Sequence, residues 1–170
     1  MPDKPKGPRI LPPGNPVSVN ELTAGKYLSA VMRKAQPQRV IAFVVGQDAG
    51  DAILFPADRA AAEEGDWLFR PVGIDAYGLT DLYDITESVQ FDFDLEAVPP
   101  DSHSPTGDIV AIEGSCLLAC RSGQSNRVFF DLATGLPSTG ANTGTLARFS
   151  KWTLRVPKSE DADFFAFEHG

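Results

Sequence analysis

Three carboxylates alternate along one segment of this sequence in a pattern that could do chemistry. Asp92, Asp94 and Glu96 are separated by apolar residues, and a β-strand places such alternating side chains on one face. With His103 as a further donor, they could hold a divalent cation or form an acid–base pair. Alternate residues of a strand lie about 6.7 Å apart, however, too far for one cation to be held by adjacent members. We therefore interpret this face as a solvated surface and keep a metal site at Asp92, Asp94 and His103 as an alternative.

Nucleophile and histidine pairs are scarce, because the chain contains only two histidines, His103 and His169. Ser115 or Cys116 could pair with His103, but the residues around them do not form the G-x-S-x-G elbow of a hydrolase. Cys116 and Cys120 would lie about 13 Å apart on an extended strand, beyond the reach of a disulfide. We predict reduced, buried thiols and no cofactor.

The charge is divided unevenly along the chain. Residues 1–37 contain six Lys or Arg against two acids, and residues 38–170 contain nine against twenty-one. Residues 48–113 alone hold sixteen acids and two basic residues. Such a surface repels nucleic acid and speeds the encounter with basic proteins. We therefore expect a basic protein as the partner, with self-association as the other possibility. The predicted binding surface consists of Asp81, Asp84, Asp92, Asp94 and Glu96.

Length and composition indicate a single domain. The chain has 170 residues, 42% of them apolar, enough to bury a core without a metal or a disulfide. No run of 18 or more apolar residues could span a membrane, and the first residues lack the apolar stretch of a secretory signal. The sequence therefore predicts a cytoplasmic protein that does not enter a membrane.

The elements begin with an arm and a helix. Six prolines within residues 1–16 predict a flexible, proline-rich arm. Ser18 and Glu21 then have the spacing of a capping box, which marks a helix start. Apolar residues recur at helical spacing from Ala24 onward, so the sequence predicts a basic helix ending before Pro37.

From residue 39 onward the pattern predicts strands. Short apolar or alternating runs are separated by Gly, Pro, Asn and Asp, as in strands joined by tight turns. Residues 39–45 and 52–55 should form a hairpin, residues 57–64 a short helix, and residues 75–87 either a helix or a loop. Further strands are predicted at 67–72, 88–98, 109–112, 116–121, 127–132, 148–156 and 164–167.

These elements predict an α+β, β-rich fold formed by one globular domain over residues 17–170. We expect a largely antiparallel barrel or sandwich of about eight short strands, with the N-terminal helix packed on it. Asp131, at the end of its strand and followed by Leu-Ala-Thr-Gly, should begin a turn.

Two of the predicted strands resemble a known family. Residues 107–115 (GDIVAIEGS) and residues 127–135 (RVFFDLATG) resemble the strand pair of the SUKH superfamily, many members of which are similar to toxin-neutralising immunity proteins. The resemblance implies partner binding and carries over no site residue. The sequence thus predicts a non-catalytic acidic binding or regulatory protein that recognises a basic protein partner, as an immunity protein would. The alternatives are a metal-dependent hydrolase using Asp92, Asp94 and His103, and a structural subunit of a homo-oligomer.

Overall fold

The computed structural model describes residues 11–34, 37–94, 106–123, 126–138, 145–159 and 162–170. Within these ranges, fourteen strands form three antiparallel sheets beside a single α-helix, α1 (Arg59–Glu64). The strands are β1 (Asn15–Pro16), β2 (Tyr27–Met32), β3 (Gln38–Val45), β4 (Asp51–Pro56), β5 (Val72–Gly73), β6 (Leu79–Asp84), β7 (Gln90–Phe93), β8 (Ile109–Ile112), β9 (Ser115–Ser122), β10 (Asn126–Asp131), β11 (Pro137–Ser138), β12 (Thr145–Phe149), β13 (Trp152–Ser159) and β14 (Ala162–His169). The β-rich character is confirmed, but the predicted α+β fold with a helix packed on a sheet is wrong.

The first sheet has the strand order β1-β6-β2-β3-β4-β5, the second β11-β10-β9-β8-β12, and the third β14-β13-β7. All their pairings are antiparallel, as expected for strands joined by short connections. The main core contains buried side chains from all three sheets, including Phe43 and Phe55 of the first, Leu118 of the second, and Trp152 and Leu154 of the third. The three sheets therefore share one hydrophobic core.

The first sheet is buried on both faces. In β2, Tyr27 belongs to the main core, whereas Leu28, Ala30 and Met32 belong to a second core. Ala62 of α1, Trp67 and Ile74 contribute to that second core. Burial on both faces explains why β3 and β4 are nearly continuous apolar runs and do not alternate.

The predicted N-terminal helix is absent from the described residues, and its place is taken by a turn and a strand. Ser18 does act as an N-cap, since its Oγ accepts a hydrogen bond from the Asn20 amide at 3.2 Å, but only the 3-10 turn Val19–Glu21 follows. Gly25 then adopts a φ of +90°, which no right-handed helix allows. Tyr27–Met32 pairs with β3 and β6 instead, because an extended segment fills both cores at once.

Other predicted elements have mixed outcomes. The hairpin of residues 39–45 and 52–55 is confirmed as β3 and β4, and the short helix is confirmed as α1 with Gly65 at its C-cap. The strand predicted at 67–72 is mostly turn, because Trp67 and Phe69 are buried in different cores. Residues 75–87 contain the strand β6 and the start of the 3-10 turn Thr86–Ser88, so neither helix nor loop was the right prediction.

The first part of the predicted arm, residues 1–10, lies outside the described residues. Its last two residues form β1, in which Asn15 pairs with Asp84 and Pro16 with Tyr83. Pro16 is tolerated there because β1 is an edge strand. Among the helices that can be described, none has the length and apolar character needed to cross a membrane.

Candidate functional site

An open pocket of about 750 Å3 lies where residues of all three sheets meet. Small-molecule sites in proteins commonly have volumes of roughly 300–1,000 Å3 and mostly apolar walls. We call this space the ligand pocket. It is lined by Gly25, Tyr27, Thr86, Val89, Phe91, Phe93, Ala111, Ile112, Gly114, Ser115, Cys116, Asp131, Leu132, Ala133 and Thr134.

Aromatic rings held by their neighbours form one side of the ligand pocket. Tyr27 stacks on Phe43 with ring centroids 4.5 Å apart, and it meets Phe91 edge to face at 6.0 Å. Phe93 packs against Phe149 at 4.8 Å. Rings packed in this way gain both burial and aromatic contact energy. The wall is therefore largely formed before any ligand arrives.

Tyr27 has a structural role beneath the ligand pocket. Its hydroxyl donates to the Leu132 carbonyl oxygen at 2.7 Å, and its amide donates to Thr86 Oγ1 at 3.1 Å. Burial raises the pKa of Tyr27 far above its usual value, with the negative charge of Asp131 as the second cause. The phenol thus stays protonated and ties β2 to the turn after β10.

A close backbone approach holds that turn against β2. Gly25 has a φ of +90°, and a Cβ there would lie 2.8 Å from the Ala133 carbonyl oxygen. Its amide donates to the Val44 carbonyl oxygen at 2.9 Å. Only glycine allows this contact.

Asp131 begins the predicted turn, and this prediction is confirmed. Its Oδ1 accepts hydrogen bonds from the Ala133 amide at 2.8 Å and from the Thr134 amide at 3.2 Å. These bonds fix the carboxylate at the rim of β10, where it lines the ligand pocket. Aspartate side chains that accept hydrogen bonds from the following amides organise turns, so the sequence was enough to predict the turn at Asp131. Nothing in the sequence indicated that this carboxylate lines a pocket.

Both cysteines are free, as predicted. Cys120 is buried and Cys116 is half-buried at the ligand pocket. Burial raises the pKa of the Cys116 thiol, and Asp131 raises it further, while burial alone strongly raises that of Cys120. Since the thiolate is the nucleophile, neither cysteine is set up for attack. The histidine considered as a base, His103, lies outside the described residues.

The acidic residues predicted as a binding surface meet basic residues of the same chain. Asp81 pairs with Arg33 at 3.0 Å and Asp84 with Lys26 at 3.1 Å. Burial tends to raise the pKa of Asp84, but hydrogen bonds from Thr86 and Lys26 outweigh it, so the net pKa lies below the usual value.

Asp92 and Asp94 lie at a different place, on β7 and just after it. Asp92 pairs with Arg155 at 3.2 Å, and Arg155 also pairs with Asp163 at 3.0 Å. Hydrogen bonds to Asp163, and then to Asp92, raise the pKa of Arg155. Asp94 also has an interaction within the described chain. Glu96 lies outside the described residues.

A second, smaller pocket of about 300 Å3 brings Asp92 and Asp94 beside His169 rather than His103. His169 is committed elsewhere, however: its Nε2 lies 3.5 Å from Asp108 Oδ1, and its Nδ1 lies 3.3 Å from Arg59. Within the ranges given above, no group of three or more His, Cys, Asp or Glu side chains could hold a metal ion. The site proposed at Asp92, Asp94 and His103 stays a prediction, since His103 is outside those ranges.

The buried side chains Asp108 and Arg148, with the partly buried His169, form what we call the buried ion-pair cluster. Arg148 donates to Asp108 at 3.0 Å, and the two side chains are only 10% and 4% exposed. Gly107 makes room for the cluster: its φ is +96°, and a Cβ there would lie 2.6 Å from both the His169 and Phe69 rings. Trp152 Nε1 donates to the Gly107 carbonyl oxygen at 2.8 Å. Asp108 thus has two neighbours in the cluster, Arg148 and His169.

No family model, curated protein or solved structure matches this chain. The likeness of residues 107–115 and 127–135 to the SUKH strand pair therefore stays a resemblance of two segments. In the structure these segments include β8 and β10, which lie on either side of β9 in the second sheet.

Proposed function

We propose that the protein is a non-catalytic binding protein that holds a small apolar molecule in the ligand pocket. The observation that carries this proposal is an aromatic-walled space of about 750 Å3 whose lining is mostly apolar. Apolar surface left open to water gains free energy when a ligand covers it. A monomeric domain rarely leaves such surface open without a use for it.

The polar groups around the pocket support binding rather than catalysis. The Tyr27 hydroxyl already donates a hydrogen bond to the Leu132 carbonyl oxygen, and Asp131 Oδ1 already accepts hydrogen bonds from two backbone amides. The Cys116 thiol has a raised pKa, which keeps it protonated near neutral pH. A nucleophile needs an activating base or a lowered pKa, and Cys116 has a neighbouring carboxylate that acts in the opposite direction.

A neutral fluorescent probe, 1-N-phenylnaphthylamine, tests the proposal with the full chain. We expect a saturable rise in probe fluorescence with one site per chain. Ala111→Phe places a ring into the ligand pocket and should reduce probe affinity at least about tenfold, by removing the space that the ligand would fill. Ala166→Phe, at an exposed position of β14 outside the pocket, is the matched control and should bind as the wild type does.

Two results would contradict the proposal. One is the absence of saturable binding by the folded wild-type protein. The other is an Ala111→Phe protein that keeps the wild-type melting temperature and circular dichroism spectrum and still binds the probe with unchanged affinity.

Recognition of a basic protein is a second candidate function, favoured by a separate observation. Asp48 and Asp75 are exposed on turns and Asp51 at the start of β4, at one end of the first sheet. There the Ile74 amide donates to the Gly50 carbonyl oxygen at 3.0 Å. In the described part of the chain these three acids take part in no ion pair. Unlike Asp81, Asp84 and Asp92, they are therefore available to a cationic partner without breaking an existing pair.

Lysozyme serves as a basic probe for this second function. Its binding should weaken steeply with salt and fall when Asp48, Asp51 and Asp75 are all changed to Asn. The cytoplasmic location, the metal-dependent hydrolase and the homo-oligomeric subunit stay predictions from the sequence.

A further inference from the structure

The described lining of the ligand pocket contains an acidic residue but no basic one. Of the residues that line it, Asp131 is the one Asp or Glu, and the lining as described contains no Lys, Arg or His. Glu87 and Glu113, both exposed, directly follow lining residues in the chain and are also acidic. The described lining and its chain neighbours on these two segments thus favour a cation over an anion.

The nearest basic residue in the sequence, Lys26, does not offset this charge. Lys26 lies between the lining residues Gly25 and Tyr27, but its ammonium is 3.1 Å from Asp84 Oδ2. Its charge is therefore neutralised locally by another carboxylate. The Thr86 hydroxyl, which does line the pocket, also donates to Asp84.

The position of the Asp131 carboxylate is fixed before a ligand binds. The Ala133 and Thr134 amides both hold its Oδ1, so little side-chain entropy remains to be lost on binding. Its negative charge reaches two walls of the pocket, because it contributes to the raised pKa of both Tyr27 and Cys116. Phe91 and Phe93 also line the pocket, and aromatic rings attract cations.

We propose that the ligand pocket selects apolar molecules that carry a protonated amine and discriminates against those that carry a carboxylate. The apolar body would lie against the aromatic wall, and the ammonium group would lie at Asp131. A carboxylate ligand would bring a like charge toward Asp131 with no basic side chain of the lining to receive it. This inference rests on the proposed function, since it names the chemical class of the ligand for the same pocket.

Three ligands of equal chain length test it: octylamine, 1-octanol and octanoate, each displacing 1-N-phenylnaphthylamine from the full chain at pH 7. We expect octylamine to displace the probe at a concentration about fivefold lower than 1-octanol does. Octanoate should need a concentration about fivefold higher than 1-octanol. A fivefold change is the size expected for a partly exposed charge pair. The spread should narrow as salt is added.

Asp131→Asn keeps an Oδ1 acceptor for the turn and removes the charge. It should bring the three ligands to within about twofold of one another. Glu64→Gln, which removes an exposed acid on α1 away from the pocket, is the matched control and should keep the wild-type order.

The outcomes separate the two proposals. If the probe and 1-octanol bind but octylamine has no advantage, or if Asp131→Asn keeps the full preference, the charge selection is wrong and apolar binding stands. If neither the probe nor 1-octanol binds, both proposals fall.

Discussion

The ligand pocket and the buried ion-pair cluster are neighbouring regions that treat polar groups in opposite ways. Phe93 lines the ligand pocket and also the smaller pocket beside His169, and Trp152 packs against Phe91 at 5.8 Å while donating to Gly107. In the cluster, charged groups are covered and matched to one another. In the ligand pocket, apolar walls stay open and a single carboxylate faces the space.

The cluster serves the stability of the fold, whereas the ligand pocket serves binding. A buried charge needs a partner of opposite charge to compensate for the lost hydration. Asp108 and Arg148 supply opposite charges to each other and join two neighbouring strands of the second sheet: β12 carries Arg148 and pairs with β8, next to Asp108. The ligand pocket has no such ion pair among its described lining residues, and its apolar walls stay accessible.

The largest expected effect comes from breaking the buried ion-pair cluster. Asp108→Ala leaves the Arg148 charge buried without its carboxylate, which should lower the free energy of unfolding by roughly 3–5 kcal/mol. Asp92→Ala is the matched control, because the pair between Asp92 and Arg155 has side chains 55% and 37% exposed and should cost less than about 1 kcal/mol. Urea unfolding measures both, and equal losses would remove the distinction between buried and exposed pairs.

A second, smaller effect tests the room that glycine provides for the cluster. Gly107→Ala combines an unfavourable φ with a Cβ that meets the His169 and Phe69 rings, and it should cost roughly 2–4 kcal/mol. At Gly114, which has a φ of +78° but nothing within 4 Å of an added Cβ, alanine should cost about 1 kcal/mol. If thermal denaturation shows similar losses of stability for both variants, the packing around Gly107 is looser than the distances indicate.

The smallest effect sharpens the description of the ligand pocket. Burial and the charge of Asp131 both disfavour the Cys116 thiolate and so raise its pKa. Cys116 should therefore react with iodoacetamide more slowly at pH 8 than a free cysteine does, and its rate should still be rising at a pH where the rate of free cysteine has levelled off. Asp131→Asn removes the repulsion, lowers the pKa and should speed labelling roughly threefold. Mass spectrometry assigns the labelled residue.

Glu64→Gln again serves as the control for charge alone. It should leave the labelling rate of Cys116 unchanged, and 1-octanol in the ligand pocket should protect the thiol. A rate at pH 8 equal to that of free cysteine would mean that Cys116 is neither desolvated nor influenced by Asp131.

Several elements could be predicted because their signals are local. Residues 39–45 and 52–55 are apolar runs on either side of Gly46-Gln-Asp-Ala-Gly50, and a hairpin is the only short-range way to bury both. The alternation around Phe91 and Phe93 likewise gave the correct inward face of β7. The turn at Asp131 followed from a side chain that can accept from its own backbone.

The helix prediction failed because it rested on neighbouring residues, whereas the conformation of this segment depends on contacts with distant strands. Ser18 caps a turn as expected, yet the apolar residues after Gly25 suit an extended strand as well as a helix. A strand at Tyr27–Met32 buries residues in two cores on opposite sides of the first sheet, and a helix on the surface would bury one face only. Tertiary burial therefore outweighed helix propensity.

The candidate site shows the same limit. Asp92 was correctly placed on the exposed face of a strand, with Asp94 just after the strand ends, but nothing near them in the sequence identifies Arg155 as a partner of Asp92, 63 positions away. The lining of the ligand pocket runs from Gly25 to Thr134, and no short window of sequence contains more than one of its walls.

Local sequence was enough to predict that this chain forms strands, where the tight turns fall, and which side of an alternating strand is apolar, since these depend on residues within a few positions of one another. The packing of the sheets was needed to show that Tyr27–Met32 is a central strand, that Asp92 pairs with the distant Arg155, and that Asp131 lines an open aromatic pocket. Burial and charge pairing act through space. Their free energies depend on which distant segments meet, and that is settled only when the sheets pack together.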